Sequence, residues 1–260
     1  VMDRPFGMIV VSGPSGSGKT TTLYAMLKIL NEREVNIATI EDPVEYEIGG
    51  INQIQVNAET NLTFAEGLKS IVRQDPDIIM VGEIRDQETA SISANAALTG
   101  HLVLSTLHSN DAPTCIPRLL DMKVEPFLMA STLTLIIAQR LVRRVCPNCI
   151  QSYTVQEDQL PENLPKYVRK MLLADKRSVQ LYKGKGCALC SFRGTLGRIG
   201  IYETMEVDEA IRDLIMQRAS ADVVRREAVR RGMTTMLEDG IAKVLAGSTN
   251  IDELLEEIAP

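Results

Sequence analysis

The sequence predicts an α/β fold in which apolar strands alternate with helices. Three observations favour this fold. A glycine-rich loop stands between a strand-like run and a helix near the start of the chain. Further apolar runs end in carboxylate or histidine residues, and segments of helical periodicity lie between them. We therefore expect a core sheet flanked by helices, with its ligand site where the strands end.

The composition of the chain argues against two classes of partner, nucleic acids and the membrane interior. The chain has 260 residues, 45% of them hydrophobic, and a formal net charge of −6. It has no long basic run, which gives no reason to expect a nucleic-acid partner. No apolar run approaches the roughly 20 residues that span a bilayer, so we expect no direct membrane insertion.

The glycine-rich loop reads GPSGSGKTT and follows the strand-like run of residues 6–11. Glycines let backbone N–H groups approach the phosphates of a nucleotide closely. Lys19 can then reach the β- and γ-phosphates, and Thr20 can offer its hydroxyl to Mg²⁺. A helix predicted directly after the loop turns its N-terminus toward the anion. The predicted nucleotide-binding residues are Gly13, Pro14, Ser15, Gly16, Ser17, Gly18, Lys19, Thr20 and Thr21.

A second strand, over residues 36–41, runs into a cluster of carboxylates. Glu41, Asp42 and Glu45 would lie near the phosphates, where a carboxylate can position Mg²⁺ or polarise a water molecule. An acidic turn that faces solvent is the alternative. The alternation over Ile51–Val56 predicts a half-exposed strand or a hairpin.

A third strand, Asp77–Glu83, is an apolar run that ends in a carboxylate. This pattern is typical of a buried parallel strand and of a Walker B element, with an ordinary core strand as the alternative. Thr63 predicts the start of a helix before this strand, and Asp86 predicts the start of another after it.

A fourth strand carries a histidine at each end, His101 and His108. A lone histidine is more often structural, but His108 follows the strand on the side where the phosphates should lie and can sense the γ-phosphate. Further on, the apolar spacing of Phe127–Val145 predicts a helix with a basic end.

Two C-x₂-C pairs follow, Cys146 with Cys149 and Cys187 with Cys190. We expect no signal peptide, and paired knuckles then indicate a Cys₄ zinc site rather than disulfides, with scattered reduced cysteines as the alternative. Four thiolates leave no open position for water, so the zinc would be structural. One helix is expected between the two pairs.

The remaining chain predicts a strand and helices that follow it. The strand covers residues 198–206, and the helices cover 208–218, 221–231, 236–246 and 252–258. The predicted division is a nucleotide-binding core over 1–145, a tetracysteine zinc subdomain over 146–192 and a C-terminal part over 193–260.

The motifs GPSGSGKT, TIEDPVE, RQDPDIIMVGEIRD and GHLVLSTLHSNDA, with the tetracysteine pairs, resemble the secretion ATPase superfamily. Within it, the chain is similar to assembly ATPases of type II secretion and type IV pili. The resemblance implies a RecA-like ATPase core that uses ATP, with Lys19 and Thr20 as the Walker A pair. It also implies that Glu45, Glu83 and His108 are the catalytic residues of the acidic, Walker B and histidine boxes.

The resemblance further implies a homo-hexamer in the cytoplasm, peripheral to the inner membrane, that moves an inner-membrane platform protein of a pilus or secretion system. Members of the superfamily bring arginines to the nucleotide from an upstream domain. Because the phosphate loop lies so near the chain start, we expect that domain to be absent and hydrolysis by this chain to be slow. Arg73 and Arg85 are candidates to substitute for those arginines.

Two other functions stay open at this point. One is a DNA-translocating or conjugation-type secretion ATPase, which salt-dependent binding of single-stranded DNA would favour. The other is a nucleotide-gated scaffold with little turnover, against which the presence of both Glu45 and Glu83 argues.

Overall fold

A computed structural model describes residues 5–160, 164, 166–174 and 176–258. Its packing divides the chain into two compact units. The first consists of the described residues up to Gln139 together with Glu203–Met233. The second consists of Arg140–Tyr202 together with the described residues from Thr234 onward. The boundaries at 145 and 192 that the sequence suggests stay a prediction.

The strands and helices alternate through the first half of the chain. The strands are β1 (Gly7–Ser12), β2 (Ile37–Glu41), β3 (Ile51–Gln55), β4 (Ile78–Val81), β5 (Leu102–Leu107), β6 (Leu133–Val145), β7 (Ile150–Gln156), β8 (Ser178–Gly184) and β9 (Thr195–Glu206). The helices are α1 (Lys19–Leu30), α2 (Phe64–Val72), α3 (Gln87–Leu98), α4 (Cys115–Asp121), α5 (Pro126–Thr132), α6 (Lys166–Leu173), α7 (Glu209–Met216), α8 (Ala221–Arg230), α9 (Met236–Leu245) and α10 (Ile251–Ile258). Two short 3₁₀ helices cover Glu157–Gln159 and Ala188–Cys190.

The main sheet has the strand order β3-β2-β4-β5-β1-β6-β9 in the described part of the chain. Neighbours from β3 through β6 all pair in parallel. The carboxyl ends of these strands therefore meet at one edge, which is where α/β folds bind ligands. The predicted α/β fold is confirmed, and residues 51–55 form a strand parallel to β2 rather than a hairpin.

The core of the first unit lies around the central strands. Every residue of β1, β2, β4 and β5 is buried, as expected for parallel strands that are covered on both faces. Helix α1 adds Leu23 and Leu27, which are at most 1% exposed. This packing holds the strands in place and so positions the residues at their carboxyl ends.

Two helices of this unit begin where the sequence predicts. The Thr63 hydroxyl accepts a hydrogen bond of 3.2 Å from the Glu66 N–H at the start of α2. The Asp86 carboxylate accepts one of 2.8 Å from the Thr89 N–H at the start of α3. Each bond satisfies a backbone donor that has no partner within its helix.

The helix predicted over Phe127–Val145 is wrong beyond Thr132. Helix α5 ends at Thr132, and the chain continues as the long strand β6. Strand β6 contains several β-branched residues and pairs in parallel with β1, with Ile137 opposite Val11. The apolar spacing of this run fits either a helix or a buried strand. Its position beside the buried strand β1 favours the strand.

The second unit contains an antiparallel hairpin between the cysteine pairs. Strands β7 and β8 pair from Ile150 opposite Gly184 to Gln156 opposite Ser178. Helix α6 lies between them in the chain and is the one helix that the sequence predicts there. The two strands were not predicted, whereas the four helices after β9 were.

Candidate functional site

The glycine-rich loop curls between β1 and α1 in the way a phosphate site requires. Gly16 and Gly18 have φ values of 78° and 85°, in the region that favours glycine. Gly13 has φ of 151°, and a Cβ there would lie 2.4 Å from the carbonyl oxygen of Gln139. Helix α1 begins at Lys19 with Gly18 as its cap, so its first N–H groups face the loop.

Gln139 on β6 supports the loop from the neighbouring strand. Its amide nitrogen donates a 2.7 Å hydrogen bond to the Ser17 carbonyl. Its amide oxygen accepts one of 2.7 Å from the Thr22 hydroxyl. Gln139 is 1% exposed, so these bonds are shielded from water. No local sequence pattern predicts this role of Gln139, because it depends on β6 lying beside β1.

Lys19 lies across the mouth of the loop. Its ammonium donates to the carbonyls of Gly13 at 2.9 Å and Pro14 at 3.0 Å. Burial lowers the pKa of Lys19, and the nearby Glu83 carboxylate acts in the opposite direction. The ammonium is therefore partly desolvated, which strengthens its interaction with an anion.

Three of the nine predicted loop residues and all three predicted catalytic residues line one cavity of about 220 Å³, whereas Gly16, Ser17 and Gly18 are not among its lining residues. The residues that line it include Ser15, Lys19, Thr20, Glu41, Asp42, Glu45, Glu83, Arg85 and His108. Among the predicted residues that the structure describes, Gly13 and Pro14 line a separate cavity of about 390 Å³, which His108 also borders. Thr21 is exposed on α1 and is not among the residues that line either cavity.

Glu83 lies between two charged or polar neighbours, Arg85 and His108, near the carboxyl ends of the strands. Its side chain is 13% exposed and pairs with the Arg85 guanidinium through one oxygen. His108 Nε2 lies 3.4 Å from the other oxygen, and Arg85 is 3.9 Å from the Asp42 carboxylate. The hydrogen bond to Glu83 raises the pKa of Arg85. Glu83 is thus oriented by two neighbours while it faces the cavity.

The carboxylates at the end of β2 have different surroundings. Glu41 is 2% exposed and accepts hydrogen bonds from the side chains of Tyr24, Thr39 and Gln53. Glu45 lies four residues later in an exposed loop and also lines the cavity. Of the two arginines considered from the sequence, Arg85 lines the cavity, and Arg73 is exposed just after α2.

The other histidine has structural surroundings. His101 is 7% exposed at the start of β5, and its Nδ1 lies 2.9 Å from the Ala96 carbonyl at the end of α3. This contact satisfies a carbonyl near the end of that helix. The two histidines therefore differ as the sequence suggests, with only His108 at the strand ends that face the cavity.

The four cysteines of the two C-x₂-C pairs form one cluster. All four Sγ atoms lie within 4.8 Å of one another, and three pairs are separated by 3.7–3.9 Å. A tetrahedron with Zn–S bonds of about 2.3 Å has edges of about 3.8 Å, so the spacing fits zinc. The thiols of Cys146, Cys149, Cys187 and Cys190 are not joined as disulfides.

Backbone and side-chain donors surround these sulfur atoms. The Asn148 amide donates to Cys187 Sγ at 3.3 Å. This hydrogen bond is the largest cause of the lowered pKa of Cys187, which favours the thiolate that a metal requires. The N–H groups of Cys187 and Gly194 lie 3.2 and 3.3 Å from Cys190 Sγ. A Cβ on Gly186 would come within 2.7 Å of the Phe192 carbonyl, so the tight knuckle requires glycine there.

The helices in the described part of the chain are all too short or too polar to cross a membrane.

Comparisons with known proteins agree with this geometry. The type IV pilus assembly ATPase PilB of Myxococcus xanthus is 47% identical over 262 residues, which cover 100% of this chain and 45% of PilB. The type II secretion system ATPase E of Vibrio cholerae is 46% identical over 256 residues, which cover 98% of this chain and 49% of that protein. The chain thus spans about half the length of these curated relatives.

A solved structure of the pilus retraction motor PilT with bound ADP superposes with a TM-score of 0.72 at 28% identity, over 100% of this chain and 63% of PilT. The family model described as "Type II/IV secretion system protein" matches residues 1–256. Because this match covers almost the whole chain and the relatives share close to half of its residues, the chain belongs to the type II/IV secretion system protein family.

Proposed function

We propose that this chain binds ATP with Mg²⁺ and hydrolyses it, and that it is the motor part of a type IV pilus assembly or type II secretion ATPase. The observation that carries the proposal is the common cavity of Lys19 and Glu83, which brings a phosphate-binding cation and an oriented carboxylate together. The names of the relatives, both ATPases, support the same activity.

Each residue of the cavity has a role that its surroundings support. The loop N–H groups and Lys19 bind the phosphates, and the Thr20 hydroxyl is a ligand for Mg²⁺. The bound Mg²⁺ would supply positive charge that neutralises the phosphate oxygens. Glu83 positions the attacking water, since Arg85 and His108 hold its carboxylate in one orientation. Glu45 provides a second carboxylate at the same cavity.

The cysteine cluster supports a structural zinc ion in the second unit. Cys146, Cys149, Cys187 and Cys190 would be its ligands, because their spacing matches a tetrahedral site and their thiols are free. The ion would link the segments on both sides of the β7–β8 hairpin. Four sulfur ligands would leave the ion no open coordination position for water, so it would take no part in the ATPase chemistry.

Membership of the family suggests an oligomeric state, a location and a partner for this activity. We infer that the full-length protein acts as a homo-hexamer on the cytoplasmic face of the inner membrane, where a platform protein of the pilus or secretion system receives the motion. We also retain the division into an ATPase core over 1–145, a zinc subdomain over 146–192 and a C-terminal part over 193–260. Analytical ultracentrifugation with and without nucleotide tests the assembly.

A single-turnover experiment tests the ATPase proposal. The parent chain, in excess over radiolabelled ATP with Mg²⁺, should release phosphate. Glu83→Gln and Glu45→Gln should bind ATP with about the parent affinity and lose at least about 100-fold in the rate of hydrolysis, because both changes remove a charge that acts on water rather than on the phosphates. Binding without hydrolysis by the parent chain would favour a nucleotide-gated scaffold instead.

A further inference from the structure

A buried carboxylate without a role in the proposed reaction lies in the wall of the cavity. Glu41 at the end of β2 is 2% exposed. It accepts hydrogen bonds from the Tyr24 hydroxyl at 2.5 Å, the Thr39 hydroxyl at 2.6 Å and the Gln53 amide at 3.1 Å. A buried carboxylate needs such donors to offset the loss of hydration. Glu41 is therefore a fixed anchor rather than a mobile group.

Tyr24 connects this anchor to the loop that carries Glu45. It is 1% exposed on α1, five positions after Lys19. Its hydroxyl donates to Glu41 and accepts a hydrogen bond of 3.2 Å from the Glu45 N–H. Burial, followed by the hydrogen bond to Glu41, raises the pKa of Tyr24 to about 12, so the hydroxyl keeps its proton at neutral pH.

Gln53 on β3 holds the same loop at two further points. Its amide oxygen accepts from the Ile48 N–H at 2.7 Å, and its amide nitrogen lies 3.3 Å from the Tyr46 carbonyl. The Tyr46 ring also meets the Tyr24 ring edge-on, with centroids 4.8 Å apart. The loop after β2 is thus attached through its backbone to the helix that begins at the phosphate loop.

The attachment leaves the Glu45 side chain free to face the cavity while its backbone is fixed. We propose that Tyr24 is a positioning residue for ATP hydrolysis: its hydroxyl, held by Glu41, fixes the backbone of Glu45 and so sets where that carboxylate lies. The inference rests on the proposed ATPase function. It predicts that one buried hydroxyl controls the rate of hydrolysis without contacting the nucleotide.

The test compares two substitutions that each remove one donor from Glu41. Tyr24→Phe keeps the buried ring and its contact with Tyr46 but loses the bond to the Glu45 N–H. Thr39→Val, the matched control, removes the 2.6 Å bond to Glu41 and leaves the loop attachment intact. We expect Tyr24→Phe to lower the single-turnover rate about 10-fold with ATP affinity within threefold of the parent, because a small displacement of a catalytic group costs up to about 100-fold. Thr39→Val should stay within threefold in both quantities.

A double-mutant cycle separates positioning from general destabilisation. In a Glu45→Gln background, Tyr24→Phe should cause no further loss of rate, because the group that it positions no longer acts. An equal loss from Tyr24→Phe in both backgrounds, or an equal loss from Thr39→Val, would overturn the inference. If Tyr24→Phe does not fold, Gln53→Ala is the second variant. It removes the bonds to Tyr46 and Ile48 together with the contacts of Gln53 with Glu41 and the Tyr24 hydroxyl, so it loosens the same loop and should give the same pattern.

Hydrogen exchange gives a readout that does not require turnover. The Glu45 amide should exchange at least about 10-fold faster in Tyr24→Phe than in the parent and should be unchanged in Thr39→Val. A parent chain that does not hydrolyse ATP would refute the proposed function. Unchanged exchange at Glu45 in Tyr24→Phe would refute the positioning role alone.

Discussion

The change Lys19→Ala gives the most direct test of the phosphate site. In the structure the Lys19 ammonium donates to the carbonyls of Gly13 and Pro14 at 2.9 and 3.0 Å. An ammonium has three donors, so it can bridge the loop and bound phosphates. Alanine removes the charge that we propose binds the phosphates, together with the two bonds from Lys19 to the loop carbonyls.

The expected loss follows from these bonds. A hydrogen bond to a charged group contributes about 1.5–3 kcal/mol, and the partly desolvated position of Lys19 favours the upper part of that range. Loss of the phosphate contact should therefore cost about 3 kcal/mol of ATP-binding free energy. Because about 1.4 kcal/mol corresponds to a factor of ten, ATP affinity should fall at least about 100-fold.

Isothermal titration of Mg·ATP into the parent and the variant measures this loss. Lys170→Ala is the matched control, because it removes the same charge from an exposed position on α6 and should leave the affinity within twofold. Circular dichroism and thermal unfolding establish that both variants are folded. An affinity of folded Lys19→Ala within threefold of the parent would refute the assignment of the phosphate site.

Three further predictions concern the loop, the zinc ion and a helix start. Gly13→Ala should lower the free energy of unfolding by about 2–3 kcal/mol, because its Cβ would lie 2.4 Å from a backbone oxygen. Gly16→Ala has open space around its Cβ and should lower it by only about 1 kcal/mol. Equal losses in denaturant titrations would contradict the role of the Gly13 contact. Elemental analysis should find one zinc per chain, lost in Cys187→Ser and retained in Cys115→Ala, because Cys115 is buried at the start of α4 and lies outside the four-cysteine cluster. Equal zinc in both variants would rule out the four-sulfur site. Asp86→Ala should destabilise the chain by about 1 kcal/mol, because it removes the bond to the first turn of α3, and an unchanged denaturation midpoint would show that this cap contributes nothing.

Local sequence patterns predict those features whose interacting groups lie close together in the chain. The phosphate loop needs glycines at fixed positions next to a lysine, and those positions are adjacent in the chain. The helix starts at Thr63 and Asp86 depend on a side chain and an N–H three residues apart. The strand ends at Glu83 and His108 could be aligned because parallel strands bring their carboxyl ends to one edge.

Local sequence patterns do not predict the structure where it depends on contacts with residues that are distant in the chain. The run after Thr132 has apolar spacing compatible with either a helix or a buried strand, and only the place beside β1 decided for β6. Gln139 supports the phosphate loop because that pairing brings it across from Ser17. No single stretch predicts the β7–β8 hairpin, because β7 is largely polar and its partner β8 lies beyond α6 in the chain.

The sequence by itself determined the α/β class, the nucleotide loop and the residues that meet at the cavity, since each follows from composition, spacing or the direction of parallel strands. Only the tertiary structure decided which of the carboxylates at the cavity are buried and anchored and which are exposed. Glu41 and Glu45 are alike in a list of acidic residues, but Glu41 is enclosed by Tyr24, Thr39 and Gln53, while Glu45 lies in an exposed loop. The physical reason is that hydration and hydrogen bonding of a charge depend on groups from several elements, which no single stretch of sequence contains.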